Sequence, residues 1–138
     1  VAGKTSHATQ RAFDVGHANT LTHKKWDIFL NNTDYPFITS DEAVIDLMDP
    51  RIPENYMLRG AWLLKTQIFN LSPKVSISLT FPFTEDLHGK VEYREMNEKK
   101  EIFRHNLFYV NFSHKYAYAP NTSFFKDLIT FEKQKVLK

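Results

Sequence analysis

The sequence predicts an α+β fold: a mostly antiparallel sheet of about five strands, packed on one face by two C-terminal helices. Three observations carry this expectation. Val75, Ile77, Leu79 and Phe81 alternate with Ser76, Ser78 and Thr80, the period-two pattern of a half-buried strand. Two stretches near the end, 98–114 and 123–133, space their apolar residues at helical intervals. Twelve Phe and six Tyr in 138 residues are enough material for the core of one domain spanning 1–138.

Taken in chain order, residues 1–10 lack a cap or strand signal and are expected to be flexible. From Thr9 to Lys25, Ala12, Val15, Ala18 or Asn19 and Thr22 recur at helical spacing, so a helix is expected despite Gly16. Trp26 to Asn31 reads as a strand, 31–36 as a turn, and Phe37 to Ser40 as a second strand, together a hairpin. Glu42 to Leu47 is a short β-prone run, and Asp49 to Tyr56, with Pro50 and Pro53, is a loop. Leu58 to Phe69 fits either a helix or a strand. The alternating strand should be ended by Pro82 or placed by it at an edge. After a turn at 87–89, Lys90 to Arg94 reads as a strand.

Asn97 is the expected N-cap of the first C-terminal helix, with Ile102, Leu107 or Asn106, Tyr109 and Val110 on one face. Lys115 to Pro120 reads as a short strand, Asn121-Thr122-Ser123 as a cap, and Ser123 to Lys133 as a helix turning Phe124, Leu128 and Phe131 inward. The core is expected to draw on Trp26, Phe37, Ile77, Leu79, Phe81, Phe103, Phe108, Tyr118, Phe125 and Leu128.

Charge and composition exclude several classes. The 18 basic and 16 acidic residues are interspersed, and a net charge of +2 is too mild to argue for nucleic acid by itself. With no cysteine, disulfides, thiolate catalysis and Cys-based zinc sites are excluded, and a reducing, cytoplasmic location is expected. Four Asn-x-Ser/Thr triplets, at Asn31, Asn70, Asn111 and Asn121, point the other way. No apolar run approaches the roughly 20 residues that span a bilayer, so a soluble protein without a membrane partner is expected. The polar opening VAGKTSHATQ, starting at Val1, reads as a cut through a longer polypeptide whose N-terminal half would be a partner of this chain.

Three ordered pieces carry a family resemblance. The first is the Trp26-led strand followed by the box Phe37-Ile38-Thr39-Ser40-Asp41. The second is a strand closing in a proline box, Leu79-Thr80-Phe81-Pro82-Phe83-Thr84. The third is a helix carrying Asn106, then Ala117-Tyr118 and a last helix holding Phe124 to Phe131. Over about 110 residues this resembles the mostly bacterial family catalogued as domain of unknown function 4238, and it resembles the C-terminal part of those proteins. In the family the box usually continues as Asn-Pro; here it continues as Glu42-Ala43. The resemblance implies no reaction and no ligand.

Read as chemistry, Ser40, Asp41 and Glu42 are the candidate catalytic residues, and Asp34 with Asp41 the candidate metal ligands. Carboxylates gathered at one end of a hairpin could bind Mg²⁺, which takes one or two carboxylates plus water and substrate phosphate. The competing and stronger reading is that Ser40 and Asp41 bond their own backbone as a turn or cap. Glu98-Lys99-Lys100 supplies a nuclease-like Glu-x-Lys, but on a polar helix start. His7, His17, His23, His88, His105 and His114 form no metal-binding spacing, and no G-x-S-x-G elbow is present. Gly3-Lys4-Thr5 copies only the end of a phosphate loop. Lys99, Lys100, Arg104 and His105, with the tail lysines 133, 135 and 138, could line a basic face near Tyr109 and Phe112 for single-stranded nucleic acid, against the plainer reading of a solvated helix face.

The leading expectation is therefore a structural or interaction module of a larger bacterial protein. The alternatives are a metal-dependent hydrolase acting on nucleic acid, with Asp41 and Glu42 on the metal and Lys100 or Arg104 on phosphate, and a plain nucleic-acid-binding module. No cofactor other than Mg²⁺ is implied, and homo-oligomerisation is left open.

Overall fold

The computed structural model describes residues 21–53, 55 and 64–136. Residues 21–23 are helical, but the expected Thr9–Lys25 helix stops short, because Lys24 is a bend and Lys25 opens the first strand; its 9–20 part, Gly3-Lys4-Thr5, His7, His17, the 1–10 stretch expected to be flexible, the 58–63 part of the ambiguous segment and Lys138 lie outside the described residues. Among the described residues seven strands follow: β1 (Lys25–Asn31), β2 (Thr39–Ser40), β3 (Val44–Met48), β4 (Lys65–Ser72), β5 (Val75–Thr80), β6 (Val91–Met96) and β7 (Ala117–Tyr118). The two long helices among the described residues are α1 (Lys99–Phe112) and α2 (Ser123–Val136), which give the fold its α+β architecture.

The main sheet has five strands in the order β3-β4-β5-β1-β6, antiparallel throughout except for the parallel pair β1–β6. The expected hairpin does not form, because β1 runs between β5 and β6 while β2 pairs with β7 in a separate two-stranded ladder. Asn31 is the physical cause. Its buried side chain accepts from Thr33 N (2.9 Å) and donates to Pro73 O (3.2 Å), and Phe37 N donates to the same Pro73 carbonyl (2.9 Å). The chain is thereby led off β1 and onto the β4–β5 turn. The ambiguous segment resolves, from Lys65 onward, as β4, and Pro82 ends β5 without moving it to an edge, since β5 is the central strand.

Cross-strand register shows that α1 covers the polar row of β5, a reversal of the expected packing. Ile45, Ile68, Ser78 and Asp27 share one row. Over this face lies α1, whose Tyr109 hydroxyl reaches Ile68 O (3.1 Å) and whose His105 reaches Ser76 Oγ (3.2 Å). Ile77 and Leu79 are buried on the opposite face, beside Trp26, Ile28 and Phe69 by register.

The helix-side core is Ile38, Ile45, Phe103, Tyr109 and Leu128, flanked by Phe108, Phe125 and Phe131. Phe103 meets Tyr35 edge-on at 4.9 Å and Phe131 at 5.1 Å between ring centroids, geometry that adds to area burial. Tyr118, an expected core residue, is 54% exposed. In β7 it is Ala117, with Ala119 beyond it, that packs against the core. Glu98, not Asn97, caps α1 through a reciprocal capping box with Glu101; the Asn97 side chain instead accepts from Asn32 Nδ2 (2.9 Å).

Candidate functional site

The box Phe37-Ile38-Thr39-Ser40-Asp41 is where the most polar contacts converge. Phe37 and Ile38 are buried, so the backbone groups between them need partners. Asn106 of α1 supplies them: its Oδ1 accepts from Ile38 N (3.1 Å) and its Nδ2 donates to Pro36 O (2.9 Å). The Asn70 side chain of β4 donates to Ile38 O. Ser40 Oγ accepts from Glu42 N (3.1 Å) and donates to Glu42 O (2.9 Å), closing a hydroxyl turn.

Asp41 carries the loop between α1 and β7. Its carboxylate accepts from the backbone N–H groups of His114 (3.0 Å), Lys115 (2.8 Å) and Tyr116 (3.3 Å), and its own N–H donates to Tyr116 O (3.0 Å). Partial desolvation pushes the Asp41 carboxyl up, but the N–H groups of Lys115, His114 and Tyr116 outweigh it and hold it below the usual carboxylate range. Glu42 lies 3.0 Å from His114 Nε2 on the surface, and Asp34 is exposed in the turn after β1. Among the described residues no three His, Asp or Glu side chains are placed to hold a metal ion.

Behind the box sits a buried polar cluster that sequence reasoning did not find. His105 Nε2 lies 2.8 Å from Asn70 Oδ1 and 3.2 Å from Ser76 Oγ, with its ring tilted against Phe37 and Tyr109. Because the Asn70 amide nitrogen already donates to Ile38 O, its oxygen is the acceptor, which assigns the proton to His105 Nε2. Both contacts fall on one ring nitrogen, whereas a Ser–His–acid relay needs the orienting acceptor on the other. Burial pulls the His105 imidazole down to about 4 and pushes the Tyr109 phenol up to about 12. The only sequence signal at Asn70 was a glycosylation-type triplet, which says nothing of a core role.

Beside the box opens a groove of about 320 Å³. Phe37 to Thr39 line it together with Asn70 to Pro73 and Tyr118 to Pro120. Leu71 and Tyr118 stand at its sides, 60% and 54% exposed.

The basic candidates occupy a different place. Lys99 and Lys100 line a second groove, of about 360 Å³, between α1 and α2, together with Phe103, Asp127 and Phe131. Lys99 Nζ sits 4.2 Å over the Tyr35 ring, and Lys100 pairs with Glu98 at 2.7 Å. Arg104 is exposed on α1, but His105 next to it turns into the core, so the expected basic face loses that member. Asp41 and Glu42 lie at the β2–β3 connection rather than in this groove.

These features define a class: an α+β domain whose FITSD box ties β2, α1, β4 and β7 together by side-chain bonds to backbone and borders an open, largely apolar groove. The chain belongs to the family described as protein of unknown function (DUF4238), whose profile matches residues 4–123. No curated protein and no solved structure matches it. Among the described residues no helix is long and apolar enough to cross a membrane.

Proposed function

We propose that this chain is a cytoplasmic interaction module, the C-terminal part of a longer bacterial protein, which takes an apolar side chain of a protein partner into the groove beside the FITSD box. One observation carries the reading: the groove of about 320 Å³ is lined by Leu71 and Tyr118, large residues left exposed, with Thr39 and Ser72 offering polar groups beside the buried Phe37 and Ile38. Concave, mostly apolar sites with a few placed polar groups are where partners anchor. The Mg²⁺-hydrolase alternative draws less support, because the Asp41 oxygens it would use accept three backbone N–H bonds.

Selection of a random displayed peptide library against the chain tests this. Enriched peptides should share an aromatic or branched aliphatic anchor, and their binding should be lost in Tyr118→Ala and in Leu71→Ser while Lys100→Ala leaves it unchanged. No enrichment, or binding indifferent to both groove substitutions, would overturn the proposal. Binding of Mg²⁺ or short oligonucleotides that depends on Asp41 or Lys100 would instead favour the alternatives.

A further inference from the structure

The edge strand β6 has a symmetry that the groove does not explain. Its inner side is fixed by the parallel ladder to β1: Trp26 N donates to Lys90 O (2.8 Å) and Asn32 N to Met96 O (3.0 Å). Backbone groups in a parallel ladder alternate sides every residue, so Lys90, Glu92, Arg94 and Met96 point theirs at β1. Those of Val91, Tyr93 and Glu95 point outward at the sheet edge. This outward set is centred on Tyr93, which is 69% exposed, with Val91 at 47%.

We infer that β6 is a self-pairing edge: two copies of this chain join antiparallel along β6 about a two-fold axis at Tyr93, merging their five-stranded sheets into one. In that register Tyr93 lies opposite the partner's Tyr93 and Val91 opposite the partner's Glu95, and about six main-chain hydrogen bonds satisfy the outward groups. The same register sets Glu92 against the partner's Arg94 and Arg94 against the partner's Glu92, so the strand is complementary to itself in charge.

Neighbouring registers fail. A slip of two residues one way sets Arg94 against the partner's Arg94, and the other way Glu92 against the partner's Glu92. A slip of one residue brings outward groups opposite inward ones and forms no ladder. The charged pair is also held in place before association, since Arg94 Nε bonds Asp27 (3.0 Å) and Lys25 Nζ lies 3.4 Å from Glu92.

Sedimentation over a concentration series should show the mass doubling from 16.2 kDa. Tyr93→Pro removes an N–H that points outward and, among the described residues, is not used in the chain's own sheet, so it should keep the far-ultraviolet spectrum and abolish the dimer. The chain has no cysteine, which allows a second test of register. Tyr93→Cys places the two sulfurs across the axis within disulfide reach, whereas Val91→Cys sets its sulfur against the partner's Glu95, several residues from its mate. Oxidation should therefore cross-link Tyr93→Cys at least roughly tenfold faster than Val91→Cys. A mass that stays at 16.2 kDa at every loading, a dimer that survives Tyr93→Pro, or equal cross-linking of the two cysteine variants would overturn the inference. If Tyr93→Pro fails to fold, the cysteine pair decides.

Discussion

Mild acid should destabilise this domain through one residue, His105. Its imidazole is pulled from 6.5 down to about 4 by burial between its own helix α1 and the sheet, among Phe37, Tyr109, Asn70 and Ser76. In the unfolded chain the ring takes up its proton as pH falls through 6.5, whereas the folded chain resists until about 4. The native state binds fewer protons in that window, so stability is full above it and is lost progressively as pH falls, levelling off below it. A shift of this size corresponds to about 3 kcal/mol in total, of which about 2 kcal/mol is expressed by about pH 5. For a domain of this length that is a fall in Tm of about 7 °C.

The assay is a set of thermal melts, followed by circular dichroism between about pH 7.5 and about pH 5, on the native chain and on His105→Gln. Glutamine keeps a donor for Asn70 but cannot titrate. The variant should be the less stable at the upper pH, having lost the ring contacts to Phe37 and Tyr109, and the gap should narrow by about 2 kcal/mol at the lower pH. Carboxylates held low in the folded state, such as Asp49 beside Arg51, lose their contribution only at lower pH and do so equally in both chains. A gap that stays constant across the range would refute the argument.

Two further predictions concern the box. Asp41→Ala should lower the Tm and raise amide exchange at His114, Lys115 and Tyr116 together, because all three N–H groups lose one acceptor; protection unchanged at these amides would sink the idea. Asn106→Ala leaves the buried Ile38 N–H and Pro36 carbonyl without partners and should cost about 3 kcal/mol in urea unfolding; a loss under about 1 kcal/mol would show that water replaces the amide.

Much of the fold was legible where a strong local signal existed. The alternating run of β5, the apolar spacing of α1 and α2 and the family pieces led to an α+β domain with a five-stranded, mostly antiparallel sheet. What failed were pairings decided over long range. Trp26–Asn31 and Phe37–Ser40 look like a hairpin because turn formers separate them, yet the Asn31 amide, which donates to Tyr35 O within the turn, also reaches Pro73 O, 42 residues away. The alternation of β5 was read correctly as a period but with the wrong face towards the helices, because both faces of this central strand are buried and periodicity alone cannot tell which one α1 covers. The basic face was over-read at His105, since helical spacing separates it by only one position from the exposed Arg104.

Composition pointed at Ser40, Asp41 and Glu42 as chemistry because short polar residues at a strand end are also what an active site uses. Their partners explain the overlap physically. A carboxylate at a turn meets unpaired backbone N–H groups, and a serine there closes a local hydroxyl turn, so residues able to hold a metal or a proton are equally able to terminate a loop. What separates the two roles is whether the oxygens are already occupied. Asp41 accepts three N–H bonds from a loop 73 to 75 residues further along the chain, and Asn106 reaches back 68 residues to Ile38. Each contact joins the box to an element that local sequence cannot bring near it. The box thus acts as a clasp holding β7 and α1 against β2, and it sits beside the groove that Leu71 and Tyr118 line, Tyr118 being the register partner of Thr39. A substitution that loosens Asp41 should therefore weaken binding in the groove as well as stability, although Asp41 does not line it. Measuring peptide affinity in Asp41→Ala at a temperature where the variant is still fully folded separates the two effects: affinity equal to the native chain's would show that the groove does not depend on the clasp.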